Sequence, residues 1–309
     1  MQKVAQVRKA IIPVGGLGTR LLPATKVLPK EMLPVGRRPM IQYVVEEMRA
    51  AGLENICFVT GRKKALIQEH FDHDPELVRY LQDRRSDGLL AELAYLESGL
   101  YLTYIRQSGP QGVADALSLA EDYVGDGAFV TALGDSIICE PEMGTLLRSM
   151  ITEHARSGAA ATIAIEPVQR ERGRHPSLVV PVPDAVVAAE SFDVAEITDR
   201  VRTSETGHEW AISARYVFSP IIFEAIRGTR PARSGELLLV DALRMLLRQG
   251  ERVRAVRLAP AQRHHDIGNF GGYFRAFLEF ALNDETLGTE LRDYVREYLA
   301  SPHGCGEEE

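Results

Sequence analysis

Between residues 9 and 135 the chain alternates short apolar runs with segments of helical period, and this alternation most limits the fold it can adopt. Residues 9–14 form an apolar run that stops at Gly15-Gly16, the pattern of a buried strand entering a turn. Residues 40–51 carry apolar side chains at helical spacing and end at Gly52, a natural stop. Residues 55–60, 101–106 and 128–133 read as further strands, with residues 62–71 and 113–123 as helices. A βαβα order predicts an α/β fold, Rossmann-like, with a mostly parallel sheet and helices on both faces. Such sheets bind ligands beyond the carboxyl ends of their strands. The loops at residues 15–20, 107–112 and Asp135 are therefore expected to converge.

The second half is more mixed. Residues 159–168, 177–182, 194–197 and 210–218 read as strands, and residues 236–249 and 271–282 as helices. The charged segments 170–174 and 203–208 read as loops, and residues 301–309, ending in three glutamates, as a disordered tail.

Charge bounds the partners. A net charge of −7 gives no support to nucleic-acid binding, so anionic ligands must be met by a few placed cations. All six lysines lie within the first 64 residues, and every later cation is Arg or His, which draws interest to any lysine near a site. Cys57, Cys139 and Cys305 are odd in number and in no metal-ligand spacing, as expected of thiols in a reducing compartment. No apolar run approaches the ~20 residues of a membrane span, which makes the cytoplasm the default expectation.

The segment Gly15-Gly16-Leu17-Gly18-Thr19-Arg20, followed by Pro29-Lys30-Glu31, carries the strongest chemistry. Glycines directly after a first strand let backbone N–H groups approach phosphate oxygens. Arg20 can fork onto those oxygens, and Lys30 adds a mobile point charge. The spacing fits neither a Walker loop nor a dinucleotide fingerprint, and the missing fingerprint counts against a dehydrogenase. Asp135 follows a strand-end glycine and Asp266 precedes Ile267-Gly268. With substrate phosphates and water, two such carboxylates would make an oxygen-rich Mg²⁺ site. His264 and His265 are adjacent and would face apart, which argues against a transition-metal site there.

The run from Lys9 to Lys26, with Pro29-Lys30-Glu31-Met32-Leu33-Pro34, closely resembles bacterial UTP–glucose-1-phosphate uridylyltransferases. The likeness continues at Val59-Thr60-Gly61-Arg62, Arg215-Tyr216-Val217-Phe218-Ser219-Pro220, Gly235-Glu236 and His265-Asp266-Ile267-Gly268. It implies a sugar-nucleotidyltransferase fold in one domain over residues 1–300. The nucleotide-binding half would span about 7–155 and the sugar-phosphate-binding half about 156–300. It also implies Mg²⁺ dependence, a homodimer or homotetramer, and transfer from UTP to a sugar-1-phosphate with release of pyrophosphate. Arg20 and Lys30 would be catalytic, Gly15, Gly16, Leu17, Gly18, Thr19, Gln107 and Gly112 would bind the nucleotide, and Asp135 and Asp266 the metal. A glutamine amide offers a donor and an acceptor, which suits the imide face of uracil or thymine. The segment after Gly112 also resembles adenylyl-transferring relatives, so dTTP, ATP and GTP stay open beside UTP.

On the acceptor side the chain departs from that family. Where the family carries Glu-Lys-Pro, this chain has Asp199-Arg200-Val201, its Asp one methylene shorter. The family's Tyr-Gly is replaced in the region of Ser177 and Leu178, and its later Asn by Glu209. Asp199, Arg200, Ser177, Leu178 and Glu209 are the candidate sugar-phosphate residues. These changes predict a weaker fit to glucose and admit another phosphorylated sugar or cyclitol. A regulatory paralogue that only binds sugar nucleotide is a further reading, against which stand the retained Lys30, Asp135 and Asp266.

Overall fold

Strand β1 (Lys9–Pro13) lies between two parallel neighbours, and its residues Ala10, Ile11 and Ile12 have no exposed surface. The computed structural model describes residues 7–97, 99–168, 177–183, 185–186, 189–199 and 210–300. The later strands are β2 (Pro34–Val35), β3 (Arg38–Pro39), β4 (Asn55–Thr60), β5 (Tyr101–Arg106), β6 (Phe129–Ala132) and β7 (Ser136–Cys139). They are followed by β8 (Ala161–Pro167), β9 (Leu178–Pro181), β10 (Ser191–Thr198), β11 (Trp210–Phe218), β12 (Val253–Arg257) and β13 (Arg263–Asp266). Nine of them form one sheet in the order β5-β4-β1-β6-β11-β8-β12-β10-β9, while β2 with β3 and β7 with β13 make two small ribbons.

The expected parallel sheet holds across β5, β4, β1 and β6. Beyond β6 the sheet is mixed: β11 runs antiparallel to both its neighbours, β12 parallel to β8, and β10 antiparallel to β12 and β9. Antiparallel neighbours do not need the helical crossovers that parallel ones require, which fits the irregular pattern of the second half.

Both faces of the sheet are covered, and the alternation along each strand shows it. Ile11, Cys57 and Phe129 belong to one apolar cluster, whereas Ala10, Ile12, Phe58 and Val130 belong to the other. Helix Met40–Ala50 supplies Ile41, Val44, Val45 and Met48 to the second cluster. Helices Val113–Ser118, Ile221–Arg227 and Leu239–Arg248 pack into the first.

Several boundaries differ from the sequence reading. The helix expected from residue 236 starts at Leu239, because the Leu237 backbone is taken by two other bonds. Its N–H donates to Gln111 O (2.8 Å) and its carbonyl accepts from Ala114 N–H (3.1 Å). The helix expected over 113–123 is broken into Val113–Ser118 and Glu121–Val124, and the one expected from residue 62 begins at Ala65. Helices Thr145–Ser157 and Gly288–Ala300 and strand β12 were not read from the sequence. Among the described residues no helix is long and apolar enough to cross a membrane.

Candidate active site

The glycine turn leaves β1 and ends in a short 3-10 turn, Thr19–Leu21, that carries Arg20. Gly18 makes that turn possible with a left-handed φ of 67°, and Thr25 fixes it by donating its hydroxyl to Gly18 O at 2.7 Å. The third 3-10 turn of the chain, Lys30–Met32, aims Lys30 back under the loop. A Cβ on Gly16 would stand 3.6 Å from Lys30 Nζ. Leu17 and Thr19 are exposed at the loop's tip.

Lys30 Nζ meets Asp135 Oδ2 at 2.5 Å, with both side chains mostly buried. Burial works against the Lys30 ammonium, but Asp135 and Glu31 outweigh it and hold its pKa above the usual lysine value. Burial likewise favours a neutral Asp135, yet Lys30 and Arg20 keep that carboxyl below the usual aspartate value. Behind this pair Lys64 Nζ contacts Glu31 Oε2 at 2.5 Å in a second, deeper ion pair.

Asp135 and Asp266 come together although 131 positions separate them in number, because β7 and β13 pair antiparallel with Asp266 opposite Ser136. Ile267 N–H donates to Asp135 O (3.0 Å), and Gly268 N–H donates to Asp266 Oδ1 (3.0 Å). A Cβ on Gly268 would lie 2.8 Å from an Arg20 terminal nitrogen, 3.1 Å from Asp266 Oδ1 and 3.2 Å from Asp135 Oδ2. Two carboxylates and the loop arginine therefore border one spot. The expected convergence of loops at the strand ends is what the structure shows.

A cavity of about 530 Å³ opens beside them, a size suited to a nucleotide. Its lining includes Gly15, Gly16, Arg20, Lys30 and Asp135, together with Gln107, Gly112 and Val113. Gln107 is buried, and its amide nitrogen donates to Asp115 Oδ2 (2.6 Å) and Gly112 O (3.2 Å). Its Oε1 would stand 2.6 Å from a Cβ on Gly15, so only a glycine there leaves this oxygen room. Gly112 has φ +99°, and a Cβ on it would meet Leu237 O at 2.3 Å. A glutamine amide offers both a donor and an acceptor to a base. In the structure the donor side is engaged and the acceptor is left.

The acceptor candidates divide. Ser177 lines the cavity, and its Oγ donates to Asp199 Oδ1 at 3.0 Å. Asp199 Oδ2 pairs with Arg244 at 2.8 Å. Burial favours the neutral acid, but Arg244 and Ser177 hold the Asp199 carboxyl below its usual value. Leu178 is buried in β9, with no more than 6% of its surface exposed. Arg200 and Glu209 lie outside the described residues.

Sequence reasoning missed Tyr216, Glu236, Leu238 and Val240, which also line the cavity. Tyr216 and Glu236 stand inside the motifs already noted, and that was the available signal. Arg244 carried a weaker one: it lies one helical turn from Asp241, to which it bonds at 2.9 Å.

The cavity is walled by a glycine loop, a lysine–carboxylate pair and a buried amide, groups able to meet the phosphates and base of a nucleotide. Residues 9–282 match the nucleotidyl transferase family, and the chain belongs to it. The UTP–glucose-1-phosphate uridylyltransferase of Bacillus subtilis (strain 168) is 34% identical over 294 residues, which cover 95% of this chain and 98% of that protein. A UTP-bound UGPase from Acinetobacter baumannii is similar in structure at TM-score 0.84 and 32% identity, covering 94% of this chain and 99% of the other. A UDP-glucose pyrophosphorylase complexed with UDP-glucose is similar at TM-score 0.76 and 26% identity, over 89% of this chain and 98% of the other.

Proposed function

We propose that this chain joins glucose-1-phosphate to UTP, giving UDP-glucose and pyrophosphate. The observation that carries the reading is that Lys30, Arg20, Asp135 and Gln107 line one cavity, while Asp266 borders the same spot at Gly268 as Asp135 and Arg20. A phosphate oxygen of glucose-1-phosphate attacks the α-phosphorus of UTP in line. The bond from that phosphorus to the bridging oxygen breaks, and pyrophosphate leaves with the electron pair. Positioning and charge neutralisation suffice for such a transfer, so the chain needs no nucleophile of its own.

Arg20 and Lys30 stabilise the triphosphate. The Lys30–Asp135 contact is the resting pairing of two groups that both serve the phosphates. Gln107 reads the base: with its donors committed to Asp115 and Gly112, its Oε1 accepts the imide N–H of uracil or thymine and disfavours the bare ring nitrogen of cytosine. Ser177, with its proton committed to Asp199, offers lone pairs to a sugar hydroxyl.

Asp135 and Asp266 fit Mg²⁺, a hard cation that takes one or two carboxylates and completes its shell with water and substrate phosphates. When bound, the ion neutralises charge on the phosphates.

A homodimer or homotetramer is part of the same reading. Helices Phe270–Leu282 and Gly288–Ala300 expose Phe274, Phe277, Tyr294 and Leu299, an apolar surface of the kind that associates. Cytoplasmic placement is supported by the free thiols of Cys57 and Cys139. The test is pyrophosphate release with glucose-1-phosphate fixed and the triphosphate varied among UTP, dTTP, ATP, GTP and CTP. UTP is expected to be fastest and CTP nearly inert; release with a purine triphosphate alone would overturn the reading.

A further inference from the structure

Strand β11 is regular along β6 but not along β8. Arg215 and Tyr216 pair with Ala132 and Thr131, whereas the register with β8 slips between Ile212 and Tyr216. Ala214 sits at the slip with φ 56°, a left-handed conformation that a non-glycine residue rarely adopts. Leu133 N–H holds the displaced Ala214 carbonyl at 3.1 Å. The bulge thus carries the next side chain, Arg215, into the interior, where it has no exposed surface.

There Arg215 forks onto Glu47, with Nε at 3.0 Å and 3.1 Å from the two carboxylate oxygens and a terminal nitrogen at 2.6 Å. The same terminal nitrogen also donates to Ser136 O at 3.0 Å. A buried ion pair is poor value as a stabiliser, since well-packed apolar residues of the same volume do as well or better. The bond to Ser136 O is what an apolar residue could not make. Ser136 follows Asp135, and the peptides around that carboxylate are tied on three sides. Ser136 N–H donates to Leu133 O (3.3 Å), Ile267 N–H to Asp135 O (3.0 Å), and Arg215 to Ser136 O.

We propose that the Arg215–Glu47 pair is a positioning device that fixes the backbone beside Asp135 and so sets where that carboxylate meets the phosphates and their cation. The inference rests on the reading of Asp135 given above. Glu47, on helix Met40–Ala50, anchors the guanidinium whose terminal nitrogen also holds Ser136 O, so the aim of Asp135 depends on a residue outside the cavity lining.

The test uses the paired replacement Arg215→Met with Glu47→Leu, which removes both charges at similar volume, and Arg215→Lys, which keeps a cation opposite Glu47. Circular dichroism checks the fold. Mn²⁺ binding to the UTP complex, without sugar phosphate, is followed by electron paramagnetic resonance beside kcat and KM. In the folded variants the Mn²⁺ Kd is expected to rise about 10-fold or more and kcat to fall about 10–100-fold, with KM for glucose-1-phosphate little changed. Wild-type Mn²⁺ affinity in either folded variant overturns the proposal, provided Asp135→Asn weakens Mn²⁺ binding in the same assay. If Asp135→Asn also binds Mn²⁺ like wild type, it is the reading of Asp135 that fails, and the positioning proposal falls with it.

Discussion

The two ends of the cavity are built differently. At the proposed phosphate end, Lys30 and Asp135 are mostly buried, and the groups come from the 3-10 turns that follow β1, the β6–β7 turn and the end of β13, each braced by backbone bonds. At the acceptor end, Ser177 and Asp199 stand where β9 begins and β10 ends, and the Asp199 side chain is 59% exposed. One end is over-determined by the core behind it, and the other is held by a short chain of surface contacts through Arg244. The physical consequence is a division of labour. On the proposed reading, charges that must be placed to a fraction of an ångström stand at rigid strand ends and turns, while the residues offered to the sugar stand where substitution costs little stability.

That contrast is broken or sharpened by mutation, beginning with the largest effect. Asp135→Asn, like chelation of divalent metal, should nearly abolish turnover, and Asp266→Asn should cost less, because Lys30 and Arg20 both act on Asp135. Equal losses, or full activity in chelator, would remove the asymmetry. Lys30→Ala and Arg20→Ala should each lower kcat by roughly 10²–10³ with the fold intact in circular dichroism. Gly112→Ala should raise KM for UTP and cost about 1–3 kcal/mol in thermal unfolding, since its Cβ has to displace the Leu237 carbonyl. At the acceptor end, Ser177→Ala should raise KM for glucose-1-phosphate only about fivefold, one net hydrogen bond of about 1 kcal/mol, and leave KM for UTP unchanged.

The smallest expected effect is that of pH. The lowered Asp135 pKa adds stability above the ordinary aspartate value of 3.8, lost as pH falls through the folded value. The raised Lys30 pKa adds stability below the ordinary lysine value of 10.5, lost as pH rises through the folded value. Both groups stay charged between those limits, so kcat/KM should show no ionisation of this pair there. A bell-shaped profile near neutrality that vanishes in Lys30→Ala would contradict the assignment.

How much was legible in the sequence follows the same division. The proposed phosphate end was legible as a local cluster, with Gly15-Gly16 directly after one strand, Arg20 and Lys30 close behind it, and Asp135 directly after Gly134 at the end of another. Asp266 was readable as a carboxylate two residues before Gly268, but its meeting with Asp135 depends on β7–β13 pairing, which no local pattern encodes. The acceptor end was legible only as a departure from the family, because Asp199 owes its orientation to Arg244 on a distant helix. Leu178 was placed among the sugar-binding residues, yet strand alternation turns it into the interior next to a Ser177 that faces the cavity. The mixed half of the sheet escaped for the same reason: strand order is set by long-range pairing rather than by residue pattern.

Glucose-1-phosphate and UTP are the substrates on which the whole reading turns, and steady-state kinetics on the wild-type protein with Mg²⁺ test it most directly. UDP-glucose formation should depend on both substrates and reach a kcat/KM of at least ~10⁴ M⁻¹s⁻¹, above that for other hexose-1-phosphates or a cyclitol phosphate. No UDP-glucose from this pair, with rapid pyrophosphate release from UTP and a different phosphorylated acceptor, would contradict it and show that the acceptor end has been rebuilt for another substrate.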